Sequence, residues 1–271
     1  MSTRSIALAN QKGGVGKTTT AVSLAACLAE RGKRTLLVDI DPQANATSAL
    51  GLEKLAGGSV YHALLDGTPL TGSIRPSGYE NLEIIPSEVD LAVAEVDVAR
   101  TENYLQRLHY CLNPIREHGG YDFLLVDCPP SLGILTMNAL AAVDRVLVPL
   151  QCEYFALEGL AVIMRVIQQI KDSGANPSLE LEGIVMTMFD GRTNLSQQVV
   201  NDVRGHFGEK VFKTIIPRTV RLGEAPSFGK PITVYDPHSH AAAAYRALAD
   251  ELLGMPAAAA AVVSASSVTV A

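Results

Sequence analysis

The stretch Ser5-Ile-Ala-Leu-Ala-Asn-Gln-Lys-Gly-Gly-Val-Gly-Lys-Thr-Thr-Thr20 decides how the rest of the chain is read. Its apolar run, Ile6 to Ala9, is a short buried strand; Gly13, Gly14 and Gly16 make a turn; a helical pattern opens at Lys17. Glycines let the backbone curl so that successive N–H groups point inward and cradle phosphate oxygens. The helix behind the turn adds unpaired N–H groups and the positive end of its dipole. In that frame Gly13, Gly14, Val15, Gly16, Lys17, Thr18 and Thr19 form a phosphate cradle. Lys17 reaches the outer phosphates and the Thr18 hydroxyl ligates magnesium. The general P-loop pattern places glycine where this chain has Gln11, and a second lysine, Lys12, stands inside the loop. A glycine turn that merely joins strand to helix is the plainer alternative. Against it stand the strand context, the three glycines, the Lys-Thr pair and the carboxylates downstream.

Working outward, 271 residues at 48% hydrophobic content suffice for one large domain with a core on both sides of a sheet. No apolar run approaches the roughly 18 residues of a spanning helix. The first strand begins so early that a signal peptide is not expected. Cys27, Cys111, Cys128 and Cys152 lack metal-type spacing, which points to a reducing, cytoplasmic setting. The net charge of −6 argues weakly against nucleic-acid binding by the whole chain. Between Arg192 and Pro231, however, seven Lys/Arg face three Asp/Glu, a local +4 that leaves −10 elsewhere. A solvated face is the ordinary meaning of such a run.

Beyond the opening stretch the order is strand, helix, strand, repeated. Thr18 to Glu30 is a helix, Thr35 to Val38 a strand, and residues 52–80 an excursion with a helical fragment at Ser59 to Leu65. Leu82 to Pro86 is a strand, and Ser87 to His118 is helical with Pro114 marking a break or a new start. Strands follow at Phe123–Asp127, Arg145–Leu150, Leu181–Met188 and Val211–Ile216, helices at Ala156–Lys171, Leu195–Phe207 and His240–Leu253, and a loop at Pro217–Pro231. The pattern predicts an α/β, doubly wound, mostly parallel sheet flanked by helices. One domain spans residues 1–254, and 255–271 form a low-complexity tail rich in Ala, Val and Ser.

In an open parallel sheet, ligands gather at the carboxyl ends of the strands. Asp127, after Phe-Leu-Leu-Val, fits the Walker-B role of holding magnesium, and Asp39 supports the metal from its own strand end. Asp41, in a loop facing the outer phosphate, is the candidate for orienting the attacking water. Any one of them alone would read as a strand end or helix cap.

Lys12-Gly-Gly-Val-Gly-Lys-Thr-Thr19 resembles the deviant Walker A loop of the ParA/Soj and MinD class of P-loop ATPases. Val38-Asp-Ile-Asp-Pro-Gln-Ala-Asn-Ala-Thr-Ser48 is similar to that class's second nucleotide motif, and Val126-Asp-Cys-Pro-Pro130 to its Walker B and switch. Ile216 to Pro231 resembles a stretch of the chromosomal partition ATPases. The resemblance covers about residues 4–253. It implies an ATP-dependent homodimer, binding of double-stranded DNA without sequence preference, and hydrolysis of ATP with Mg2+ stimulated by a ParB-like centromere-binding partner. Carried over, Lys12 contacts the partner subunit's nucleotide and Gly13 sits at the dimer contact. Lys17 and Asp41 serve hydrolysis, Pro217 and Arg218 line the purine, and Arg192 and Arg221 touch DNA. A cytoplasmic, nucleoid-associated protein with no membrane contact is the expectation. With eleven residues before Lys12, the short type without an N-terminal helix-turn-helix is expected.

A MinD-like membrane-associated positioning ATPase is the alternative. It needs a basic amphipathic helix near the C-terminus, yet no Lys or Arg follows Arg246. An iron–sulfur component of the same superfamily would use Cys128 and Cys152 as a dimer-bridging pair, although small buried residues is the plainer reading. A metabolic ligase would show a substrate pocket that the pattern does not reveal. His238 and His240 read as a loop leading into a helix.

Overall fold

A computed structural model describes residues 3–54 and 60–255. In chain order its elements are β1 (Arg4–Leu8), α1 (Lys17–Glu30), β2 (Thr35–Asp39), α2 (Asn45–Ala49), α3 (Val60–Asp66), β3 (Arg75–Tyr79), β4 (Leu82–Ile85) and α4 (Leu91–Val98). They continue with α5 (Arg107–His118), β5 (Phe123–Asp127), α6 (Ile134–Ala142), β6 (Arg145–Gln151), α7 (Ala156–Asp172) and β7 (Glu180–Phe189). The last are α8 (Asn194–Phe207), β8 (Val211–Pro217), α9 (Val220–Glu224), α10 (Ile232–Tyr235) and α11 (His240–Leu252). The strands make one eight-stranded sheet in the order β3-β4-β2-β5-β1-β6-β7-β8. All pairs are parallel except β3–β4, so the doubly wound α/β architecture is the one found.

The central strands are apolar throughout because both of their faces are covered. Alternate side chains go to opposite layers. Ile6 and Leu8 of β1, Leu37 of β2 and Leu125 of β5 pack with α1 and α11. Ala7, Leu36, Val38, Leu124 and Val126 pack against the layer that contains α5, α6 and α7. Register then fixes the site. Asp39 pairs with Asp127 across β2 and β5, and Leu8 pairs with Asp127 across β1 and β5. Two carboxylates and the exit of β1 therefore reach one edge of the sheet at one level.

Five details differ from the sequence expectation. The excursion over 52–80 contributes an edge strand, β3, whose Pro76 and Gly78 disguise it; an edge position tolerates proline because one side of the strand needs no ladder partner. The helix α6, which no pattern announced, is buried on nearly every side, so it carries no polar stripe to mark its period. Pro114 lies inside α5 rather than at its boundary, and the carbonyl it leaves free belongs to exposed Tyr110. The Ser87–His118 region is two helices, α4 and α5. The predicted loop Pro217–Pro231 holds the short helix α9. The predicted tail lies outside the described residues apart from Met255.

Candidate nucleotide site

The turn between β1 and α1 is held open by its glycines. Gly14 and Gly16 have φ of 74° and 86°, a left-handed backbone that side chains disfavour. Gly16 is the N-cap of α1 and no side chain caps the helix, so its first N–H groups point outward without protein partners. Two bonds brace the loop from below. Asn10 Nδ2 donates to the Pro149 carbonyl at 2.8 Å, and the Thr187 hydroxyl donates to the Val15 carbonyl at 2.8 Å. The Lys12 N–H donates to Asn10 Oδ1 at 3.0 Å. The result is a preformed concave array of donors, with the Lys17 ammonium buried at its centre and donating to the Lys12 carbonyl at 3.1 Å. Burial pulls the Lys17 ammonium below its usual pKa, while the nearby Asp127, Cys128 and Asp41 oppose that shift.

The carboxylates divide their work. Asp39 is fully buried and spent on its own loop: Oδ2 accepts from the Thr47 N–H at 2.8 Å and the Thr47 hydroxyl at 2.7 Å, and Oδ1 accepts from the Asp41 N–H at 3.1 Å. Burial pushes its carboxyl up to about 6 against those bonds. Asp41 accepts from the Gln43 N–H at 2.9 Å, and its carbonyl accepts from the Ser87 hydroxyl at 2.6 Å. Asp127 is different. It is fully buried, and among the described residues neither of its carboxylate oxygens has a hydrogen-bond partner. Burial and the Asp39 charge drive its pKa well up, and the nearby Thr18 hydroxyl and Lys17 ammonium oppose them. A buried carboxylate without donors, between a lysine and a threonine hydroxyl, suits a cation. Among the described residues no three His, Cys, Asp or Glu converge as a cage. Magnesium needs none, since one or two carboxylates and phosphate oxygens normally hold it.

A cavity of about 260 Å³ opens beside the loop, lined by Gly16, Thr19, Met188, Pro217, Arg218 and Tyr245 among others. Pro217 and Arg218, expected near a purine, are thus beside the phosphate cradle. Tyr245 closes the floor, its hydroxyl 3.1 Å from that of Thr20. A second cavity, about 400 Å³, lies on the other side of Leu222 against Thr18, Asn45, Ser48 and Lys230. Nothing in the sequence pattern singled out Thr187, Ser87 or Tyr245. Thr47 and Asn10 lay inside quoted motifs, where their buried polar side chains were the available signal.

The AAA domain family model matches residues 3–181. The chain is 51% identical over 251 residues to the chromosome partitioning protein ParA of Myxococcus xanthus, covering 92% of this chain and 88% of that one. It is 50% identical to the sporulation initiation inhibitor protein Soj of Bacillus subtilis, covering 91% and 97%. The chain belongs to the ParA/Soj family of chromosome-partitioning proteins. A structure of cobyrinic acid a,c-diamide synthase from Mycobacterium smegmatis, solved with a bound ATP analogue and magnesium, superimposes with a TM-score of 0.78 at 38% identity over 93% of this chain and 94% of that one.

In this ParA/Soj chain the remaining expected binding residues, Lys12, Gly13, Arg192 and Arg221, are all exposed. Lys12 is exposed and forms an ion pair with Glu153. Gly13 is exposed, and a Cβ there would meet Pro130 at 3.7 Å. Arg192, in the β7–α8 loop, projects into solvent but is gripped by Asp190; Arg221, on α9, pairs with Glu224 at 3.1 Å and Asp236 at 3.5 Å. All four cysteines are free and buried. His238 and His240 are in the loop and first turn leading into α11. No described helix is long and apolar enough to cross a membrane.

Proposed function

We propose that the chain is an ATP-dependent DNA-partitioning ATPase. It dimerises on ATP, binds double-stranded DNA without sequence preference, and hydrolyses ATP when a ParB-like partner stimulates it. The observation that carries the reading is Asp127, fully buried with both oxygens unpartnered, at the mouth of an uncapped helix that presents Lys17. Such an arrangement favours a cation and phosphates as the groups that complete it. Family membership supplies the partition context.

In this reading the Gly13–Thr19 backbone and Lys17 hold the phosphates, and Met188, Pro217 and Arg218 border the base. Thr18 and Asp127 hold magnesium, which supplies charge neutralisation for the outer phosphates. Any help from Asp39 passes through Thr47 and the Asp41 N–H, because its oxygens are engaged. Asp41, anchored on the same network, orients the attacking water. Lys12 exchanges Glu153 for the partner subunit's nucleotide as the dimer forms, with Gly13 at the contact. Arg192 and Arg221 meet DNA phosphates. The protein works in the cytoplasm on the nucleoid.

The test is ATP turnover by the full chain, alone and with duplex DNA, a ParB-like protein and anionic liposomes. Turnover raised by DNA together with the partner is expected. Turnover and binding that respond to liposomes and ignore DNA would overturn the partition reading in favour of a membrane-positioning role.

A further inference from the structure

The loop after β7 and the loop after β8 are tied together by the Arg218 N–H, which donates to the Phe189 carbonyl at 2.9 Å. Between them is an open cleft of about 580 Å³, with Asp190, Gly191 and Arg192 on one wall and Arg218, Thr219 and Val220 on the other. Its charged groups are two arginines and one carboxylate. Arg192 grips Asp190 with Nε at 2.9 Å and Nη2 at 2.7 Å, and its backbone N–H adds a third bond at 3.1 Å. These bonds, with Arg218 acting from the opposite wall, hold the Asp190 carboxyl well below its usual range. Asp190 is therefore ionised and acts as the internal counter-ion of the cleft. Thr193 caps α8 immediately beyond, its hydroxyl accepting from the Ser196 N–H, so the positive end of a 14-residue helix starts next to Arg192.

We infer that this cleft seats a phosphate of the DNA backbone, with Arg218 acting alongside Arg192, and that Asp190 is a built-in competitor which the phosphate must displace. The inference rests on the DNA-binding reading above and adds to it a third arginine and an opposing carboxylate. The physical argument is competition for one guanidinium. Arg192 is 89% exposed in its side chain, so its pair with Asp190 is screened by water and salt and is easily exchanged. A phosphate group, with two free oxygens, offers the same bidentate geometry as the carboxylate. The backbone also releases condensed counter-ions on binding, a gain that Asp190 cannot match. With two arginines and one ionised carboxylate the cleft carries a net charge of only about one, so a single subunit grips DNA weakly. A pair of clefts brought together in a dimer would hold it firmly. The occupant is duplex DNA rather than free phosphate or a lipid headgroup, because the cleft belongs to a stretch, Arg192 to Pro231, whose local charge of +4 suits an extended polyanion.

Arg218 and Thr219 also border the nucleotide cavity, so the test must separate the two ligands. Binding of labelled duplexes of two unrelated sequences to the full chain, saturated with a slowly hydrolysed ATP analogue and magnesium, is measured across salt concentrations. Affinity for the analogue is measured in parallel. Asp190→Asn is expected to bind both duplexes about threefold more tightly than wild type at a given salt concentration, the worth of an exposed ion pair that the phosphate no longer has to break. Asp172→Asn, which removes the same charge from the end of α7, leaves DNA binding unchanged. Arg218→Gln, at saturating analogue, weakens both duplexes and flattens the slope of log affinity against log salt by about 0.9. If wild type binds DNA while Asp190→Asn matches Asp172→Asn, or Arg218→Gln matches wild type, the cleft assignment is overturned and the DNA reading stands. If wild type binds neither duplex at low salt, both fall together. Binding of Asp190→Asn to inorganic phosphate or anionic vesicles in place of DNA likewise overturns the assignment.

Discussion

Two charged regions of this molecule are opposites. At the carboxyl edge of the sheet, Lys17, Asp39 and Asp127 are buried, and Asp127 lacks any hydrogen-bond partner. On the loops beyond β7 and β8, Arg192 and Arg221 are exposed and each already holds a carboxylate of its own chain. The first region is a buried site that, among the described residues, leaves the Asp127 oxygens unpartnered; the second is a surface whose arginines are paired within the chain. Burial explains the difference. An unsatisfied buried polar group costs about 1–3 kcal/mol, and more when charged, so it marks the place where a ligand is gained. Exposed charges lose little by pairing or unpairing, which makes them suited to reversible capture of a polyanion.

The buried end of this contrast is broken most directly at Lys17. Lys17→Ala is expected to lose about 2–5 kcal/mol of nucleotide binding, roughly 30-fold or more, since it removes the one buried ammonium facing the phosphates. Titration with a fluorescent ATP analogue reads this out. Wild-type affinity in that variant removes the P-loop assignment.

The next largest effect separates two residues of similar position but different burial. Asp41 is anchored by the Gln43 N–H and by Ser87, whereas Lys12 is exposed on Glu153. Asp41→Ala is expected to bind ATP, accumulate as a dimer, and turn over about 100-fold or more slowly, the range for a positioned group that prepares the nucleophile. Lys12→Ala should bind ATP and fail to hold the dimer. Sedimentation with ATP and steady-state turnover distinguish the two. Equal dimerisation by both variants would show that the exposed lysine has no role across subunits.

Most of the buried region was legible in the sequence, and much of the exposed one was not. Gly-Gly-Val-Gly-Lys-Thr fixes a backbone shape, and Phe-Leu-Leu-Val-Asp127 fixes a buried strand end, because both depend on local chain chemistry. That Asp39 is engaged by Thr47 while Asp127 has no partner depends on side chains eight or more residues apart meeting in space. Thr187 beneath Val15 and Tyr245 beside Thr20 are contacts across 172 and 225 residues, for which a single sequence carries no period. The arginines were visible as a run of charge, but their carboxylate partners Asp190, Glu224 and Asp236 were counted there only as charges of opposite sign, or lay outside the run. The helix α6 escaped notice for the opposite reason: total burial erased the pattern that marks a helix.

A milder test of the buried region replaces the unpartnered charge with a neutral isostere. Asp127→Asn removes the cost of holding a charge without donors, so the nucleotide-free chain is expected to melt at the same temperature or higher. Each 1 kcal/mol recovered should raise it by about 2–4 °C in a chain near this size. The additional stabilisation that magnesium gives to the ATP-bound wild type is expected to disappear. Calorimetry with and without magnesium measures both. A lower melting temperature together with an intact magnesium response would mean that Asp127 already has what it needs within the protein.

The smallest effect sharpens the contrast at its exposed end, between the two arginines themselves. Arg192 faces one carboxylate, whereas Arg221 is flanked by two, Glu224 at 3.1 Å and Asp236 at 3.5 Å. A guanidinium shared between two carboxylates keeps less of its field for an incoming phosphate, and a phosphate approaching it meets two like charges rather than one. Neutralisation of one phosphate is worth about 0.9 in the slope of log affinity against log salt. Arg192→Gln is therefore expected to flatten the slope by close to that amount for every duplex alike. Arg221→Gln should flatten it by less, and the deficit should close when Asp236→Asn is added to a chain that retains Arg221, because the freed arginine then contributes in full. Both variants should leave ATP dimerisation as it is, since each side chain points to solvent and touches no residue of the phosphate cradle. Equal slopes for the two substitutions would show that the second carboxylate does not restrain Arg221. An unchanged slope for both would place the DNA elsewhere on the dimer.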